Sequence, residues 1–227
     1  MNSPKEDEVK MKIRYALIAS SALLLLCLTM PARADGAGKV LYENNFEKAE
    51  VGKLPGDFLV LDGEYAVRES EGNKYLELPG APLDTFGVLF GPTTNGGVCV
   101  SARIFATGKG RRYPQFGVGL NGQNGYKLKL SPAKDAVEIY SGDESAASVP
   151  FHWKSGTWVM FKLQVRQIDG PAWKIEGKVW LQTETEPAAW TIAVDEKTAP
   201  RAGGASIWGS PISGTPIRFD DLLVTGE

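Results

Sequence analysis

The residue types that most often carry chemistry are scarce in this chain. His152 is the only histidine in 227 residues, and Cys27 and Cys99 are the only cysteines. Cys27 falls in the apolar N-terminal run, and the one His and one Cys left are too few for a zinc site of usual composition. His152 sits in Pro150-Phe151-His152-Trp153-Lys154-Ser155-Gly156, where Ser155 is the nearest hydroxyl and no nucleophile-elbow motif is present. Acidic groups crowd at Asp135-Ala136-Val137-Glu138 and Asp143-Glu144, a spacing expected of a solvated strand and turn. Glu138 and Glu176 could meet only across strands. Gly117-Val118-Gly119-Leu120-Asn121-Gly122 fits a G-x-G-x-x-G spacing, but no helix pattern follows it, so a phosphate cradle is not expected. No catalytic residue is assigned, and the residues lean away from an enzyme.

Binding chemistry is better represented. Sugars present apolar C–H faces ringed by hydroxyls, so their sites combine aromatic platforms with planar polar groups. The candidates are Arg103, Arg112, Tyr113, Gln115, Lys127, Tyr140 and Trp208. Gly117, beside Gln115, is expected to leave a shallow groove. Trp158, Trp173, Trp180 and Trp190 read as packing residues, and Arg111-Arg112 as a solvated turn. A formal net charge of −2 gives no electrostatic case for a nucleic-acid partner.

These side chains must be held by strands. After Asp35 the chain alternates short apolar segments with Gly, Pro, Asn and Asp. The expected strands span 40–44, 58–61, 64–68, 75–78, 87–90, 98–105, 115–120 and 126–130. They continue over 136–140, 158–167, 173–181, 190–194, 205–208 and 217–224. Phe116, Val118 and Leu120 share one face against Gln115, Gly117 and Gly119. Val159, Phe161, Leu163 and Val165 likewise oppose Trp158, Lys162, Gln164 and Arg166. Alternation of period two predicts antiparallel sheets packed face to face, with one side of each wet. Hairpins are expected through Asn121–Gly125 and Asp169-Gly170-Pro171. The predicted fold is all-β, a sandwich or barrel of antiparallel strands, forming one domain over residues 35–227.

Residues 1–34 read as a signal peptide. Lys12 and Arg14 precede an apolar run from Ala16 to Leu28, and Ala32-Arg33-Ala34 supplies an A-x-A cleavage signal. The run is shorter than the roughly 20 residues of a spanning helix, so no transmembrane segment is expected after cleavage. Residues 1–10 are polar and read as a start-site extension. Export to the periplasm or the outside follows. Only Cys99 would then remain in the mature chain, so no internal disulfide is expected, and it reads as a small buried strand residue.

Leu41-Tyr42-Glu43-Asn44-Asn45-Phe46-Glu47 resembles the first strand of concanavalin A-like jelly rolls. The pairing of Gly63-Glu64-Tyr65-Ala66-Val67 with Lys74-Tyr75-Leu76-Glu77-Leu78 resembles them too. Phe116–Leu120 with Gly125–Leu128 is similar to the inner strands of laminin-G-like domains. The combination of Lys178-Val179-Trp180, Glu186–Thr191 and the closing Gly214–Val224 resembles whole domains of that kind. The resemblance is thus to bacterial extracellular laminin-G-like domains of the concanavalin A-like lectin/glucanase superfamily. It implies a two-sheet antiparallel β-sandwich of jelly-roll type and a non-catalytic glycan-recognition or adhesion module acting on polysaccharide. One alternative is a divergent glycoside hydrolase of that superfamily, or of the 3-keto-disaccharide hydrolase-like group. The Glu-x-Asp-x-x-Glu strand motif of the family 16 glycanases is not found here, nor are the Trp-Asn-rich segments of the other group. A structural envelope protein that binds another protein is the remaining alternative. The resemblance also implies a candidate structural calcium where first and last strands meet, with Glu47, Asp220 and Asp221 as ligands.

Overall fold

The computed structural model describes residues 38–81 and 84–226, so the expected signal segment lies outside the described residues. Strands β1 (Lys39–Asn44), β2 (Leu59–Asp62), β3 (Ala66–Ser70), β4 (Asn73–Leu78) and β5 (Phe86–Thr94) come first. They are followed by β6 (Val98–Ala106), β7 (Gln115–Leu120), β8 (Tyr126–Ser131), β9 (Ala136–Ser141) and β10 (Glu144–Pro150). The last five are β11 (Thr157–Asp169), β12 (Ala172–Leu181), β13 (Ile192–Glu196), β14 (Gly203–Ser210) and β15 (Ile217–Gly226). One 3₁₀ turn, Pro132–Lys134, joins β8 to β9.

The first sheet runs β13-β12-β11-β6-β15-β4-β3, with β1 also paired to β15. The second runs β10-β9-β8-β7-β14-β5-β2. Every pairing is antiparallel. The core between the sheets is filled from both sides. β6, β11 and β15 contribute Val100, Ile104, Phe161, Leu163 and Phe219, and β7, β8, β9 and β14 contribute Phe116, Val118, Leu128, Ile139 and Ile207, all 0–1% exposed. Burying each such side chain contributes about 1.5–3 kcal/mol. Phe116 meets Phe161 edge-on across the layers, with ring centroids 5.8 Å apart.

The last strand organises the first sheet. On one side β6 pairs with it along most of its length; on the other, Ile217–Phe219 meets β4 and Leu222–Gly226 meets β1. The register shifts between Asp220 and Leu223, where Asp221 takes a φ of 49°. This bulge lets both Phe219 and Leu222 reach the core, and it leaves Asp220 on the outer face.

Both expected hairpins form, β7 with β8 and β11 with β12. The expected strands at 64–68 and 190–194 begin two residues later, at Ala66 and Ile192. β10 lies outside the expected set. Its sequence, Glu-Ser-Ala-Ala-Ser-Val-Pro, carries little apolar alternation because it is an edge strand whose side chains are mostly exposed. The outer faces also differ from expectation. Lys127, Glu138 and Trp208 on the second sheet, and Glu176, Lys178 and Trp180 on the first, point away from the core yet are nearly covered. Polar and aromatic side chains on these faces pack against one another rather than standing in water.

Candidate functional site

The outer face of the second sheet is built in rows across its strands. One row runs Tyr140, Lys127, Gly119, Ser206, and the next runs Glu138, Lys129, Gly117, Trp208, Gly87. Three glycines in these rows decide where the large side chains lie. A methyl group at Gly87 would come within 2.5 Å of the Trp208 ring, and one at Gly119 within 3.0 Å of its Nε1. The indole therefore lies across β5 and β7, and its N–H donates to Ser206 Oγ at 2.8 Å. The Lys127 ammonium sits 4.5 Å from the indole centroid, and the Lys129 ammonium 4.9 Å from that of Tyr140. These are cation–π distances.

Beside this row, Ser210 pairs with Gln115 across β14 and β7. Here a pocket of about 300 Å³ opens, lined by Asp84, Thr85, Tyr113, Gln115 and Ser210. Thr85 and Ser210 share a 2.9 Å hydroxyl hydrogen bond. Tyr113 is 41% exposed and presents its ring to solvent. The pocket thus combines an open aromatic ring, a planar amide, two hydroxyls and one carboxylate.

Glu138 is fully engaged. It accepts from Ser131 Oγ at 2.7 Å, Lys134 Nζ at 2.9 and 3.2 Å, Tyr140 Oη at 3.3 Å and Ser145 Oγ at 3.3 Å. Burial alone would raise its pKa, but the Ser131 and Lys134 hydrogen bonds and the Lys134 charge outweigh burial and hold the carboxyl below its ordinary value. The expectation of a solvated acid here is corrected: Glu138 is a covered carboxylate with a filled set of donors. Burial lowers the pKa of Lys127, against the pull of Asp143.

Five of the seven candidate binding residues (Tyr113, Gln115, Lys127, Tyr140 and Trp208) come together on this face. Arg112 lies in the exposed turn just before Tyr113, where its carbonyl and N–H pair with Lys109. Arg103 is on the opposite side of the molecule. It projects from β6 on the outer face of the first sheet, stacked 4.7 Å from the Trp158 centroid. Its guanidinium contacts Asp220 Oδ2 at 2.6 Å, Asn73 Oδ1 at 2.8 Å and Asp221 Oδ2 at 3.0 Å. Burial pushes the Asp220 pKa up, and the Asn73, Asp221 and Arg103 contacts oppose that rise.

The three residues named as calcium ligands are all engaged within the protein. First and last strands do pair, but the cation beside Asp220 and Asp221 is a guanidinium. Glu47 Oε1 is engaged by the backbone N–H of Lys74 at 3.0 Å. Among the described residues no group of three or more His, Cys, Asp or Glu is placed to hold a metal ion.

The catalytic alternatives are equally dispersed. Glu138 faces out from the second sheet and Glu176 from the first, where it pairs with Arg166 at 2.7 Å, so the two carboxylates stand on opposite surfaces. His152 is exposed beside Asp135 at 3.3 Å, while Ser155 Oγ accepts the Gly108 N–H at 2.8 Å. Cys99 lies on β6 partly covered, where a buried strand residue was expected, and burial pushes its thiol up to about 11. Gly117–Gly122 runs through β7 into a turn that leads to β8.

Sequence reasoning missed Asp84, Thr85, Ser210 and Lys129. The first three are small polar residues at strand ends whose meeting depends on the β5–β14–β7 pairing order. Lys129 did carry a signal, since it occupies the same alternating face of β8 as Lys127.

No family model matches this chain, and no curated protein matches it. Solved structures resemble it in fold. The carbohydrate-binding module CBM66 from Bacillus subtilis superposes with a TM-score of 0.51 at 12% identity, covering 75% of this chain and 96% of its own. The carbohydrate recognition domain of Emp47p gives 0.54 at 8%, covering 83% and 97%. A Bacillus subtilis protein of unknown function with a galectin-like fold gives 0.53 at 12%, covering 84% and 97%. At such identities the likeness concerns the fold alone: residues 38–226 form an all-β, two-sheet antiparallel sandwich of the galectin-like, jelly-roll kind.

Proposed function

We propose that this protein is an exported glycan-recognition module that binds polysaccharide on the outer face of the second sheet. The pocket beside Trp208 carries the reading. Tyr113 offers an exposed ring for a sugar's C–H face, while Gln115, Ser210, Thr85 and Asp84 offer donors and acceptors for its hydroxyls. Structural neighbours named as a carbohydrate-binding module and a carbohydrate recognition domain support the same reading. Export rests on Lys12, Arg14, the Ala16–Leu28 run and Ala32-Arg33-Ala34. No helix among the described residues is long and apolar enough to cross a membrane.

Binding without cleavage is favoured over hydrolysis because Glu138 and Glu176 share no cleft and Glu138 has its acceptor positions filled. A retaining glycosidase needs two carboxyl groups about 5 Å apart. The test is retention on a panel of insoluble polysaccharides, with released reducing ends assayed in the same tubes. Retention without sugar release, weakened in Tyr113→Ala, is the expected result. Sugar release would overturn the non-catalytic reading, and no retention on any polymer would overturn the glycan reading.

A further inference from the structure

The pocket answers to a sugar's hydroxyls and C–H face; it leaves the cations beside it unexplained. Lys127 and Lys129 occupy successive outward positions of β8, so their ammonium groups share one small region of the face. Lys127 has local partners in the Gly142 carbonyl at 3.3 Å, Asp143 at 3.8 Å and the Trp208 ring. Lys129 has the Tyr140 ring, and no carboxylate among the described residues pairs with it. Glu138 stands directly across the ladder from Lys129, but Ser131, Lys134, Tyr140 and Ser145 already take its oxygens.

Next to Lys129 in the row is Gly117, which contributes no side chain, and beyond it is Trp208. Burial and the neighbouring Lys127 both lower the Lys129 pKa, with Asp143 and Glu138 pulling the other way. A half-covered cation without an anion is an unfavourable arrangement that a bound anion would relieve. The residues leading into Tyr113 are Lys109, Gly110, Arg111 and Arg112, all exposed. The one carboxylate in the pocket is Asp84.

Building on the glycan reading, we propose that Lys129, with Lys127 behind it, forms an anion subsite, so that the glycan bound on this face is an acidic polymer carrying carboxylates, of the uronate class. A carboxylate of the polymer accepts from the Lys129 ammonium, while another sugar ring of the same chain occupies the Tyr113 pocket.

The full chain is titrated with polygalacturonate and with alginate, and with the carboxyl-reduced, neutral form of each. The acidic forms are expected to bind about tenfold or more tightly than the reduced ones, the size of a charge-assisted hydrogen bond. Lys129→Gln should bring the two affinities together, Lys129→Arg should keep the preference, and Lys48→Gln, the same charge change at an exposed turn residue, should leave it unaltered. Equal binding of acidic and reduced polymers, with both weakened by Tyr113→Ala, overturns the anion subsite and leaves the glycan reading standing. No binding of any polymer removes both. A preference lost equally in Lys48→Gln reflects bulk charge and overturns the subsite. Tighter binding of dextran sulfate than of either uronate overturns the carboxylate assignment.

Discussion

Trp208 and Glu138 show that a side chain's job on this face is set by what its neighbours lack or supply. The indole lies flat because Gly87 and Gly119 have no Cβ to lift it, and Glu138 stays ionised because four side chains donate to it. Since Glu138 has its folded pKa below its unfolded value, it contributes stability that is present above the unfolded pKa and is lost as pH falls through the folded one. Glu138→Gln should therefore cost about 1–3 kcal/mol near neutral pH, with the deficit shrinking in urea titrations run progressively below pH 4.5. A constant deficit across that range would show that the carboxylate's charge plays no part. Tyr113→Ala is the opposite case. The ring is exposed, so stability should move by less than about 0.5 kcal/mol while glycan retention falls. Aromatic and planar groups on alternating wet positions were legible in the sequence. The partner of Asp220 was not, because Arg103 lies 117 residues away and only the β6–β15 register joins them.

At the scale of elements, the strand pairs of the second sheet depend on glycine for closeness. A methyl group at Gly117 would lie 1.9 Å from the Leu128 carbonyl oxygen, a contact with backbone that side-chain motion cannot relieve. At Gly119 the nearest atom is Ser206 Oγ at 2.5 Å, which can rotate away at the cost of its bond to Trp208, and the backbone oxygen it would meet, that of Tyr126, is farther off at 2.9 Å. Gly117→Ala should thus be the more destabilising change, by about 3 kcal/mol or more against about 1–2 kcal/mol for Gly119→Ala, read from denaturant midpoints. Gly119→Ala should also alter the Trp208 environment in near-ultraviolet circular dichroism. The period-two pattern identified the long central strands because each has one face against the core, as in Val159, Phe161, Leu163 and Val165. It passed over β10, whose residues are small and mostly exposed, so that only Ala147 and Val149 mark its inner face.

Across the whole molecule, two outer faces have different uses. The first sheet's face is tied by ion pairs, with Arg103 on Asp220, Arg166 on Glu176, and Lys162 and Lys178 sharing Glu186 at 3.0 and 3.1 Å. Asp220→Ala would leave the Arg103 guanidinium without its buried partner and should cost about 3 kcal/mol. Adding calcium or a chelator to the wild type should leave the melting temperature in place, because Arg103 occupies the position a cation would take. A rise with calcium that Asp220→Ala abolishes would contradict this. The second sheet's face carries the open pocket and the uncompensated Lys129. That division between a sealed and an open face is invisible to alternation, which treats the outward positions of both sheets alike.

The most direct test compares the two faces by titrating one polysaccharide that the wild type retains against three variants of the full chain. Tyr113→Ala and Gln115→Ala alter the second sheet's face, and Met160→Ala alters the first sheet's. The expected result is weaker binding in the first two, by about tenfold each, with Met160→Ala indistinguishable from wild type. Unchanged binding in both second-sheet variants, or a loss confined to Met160→Ala, would contradict the assignment of the glycan site.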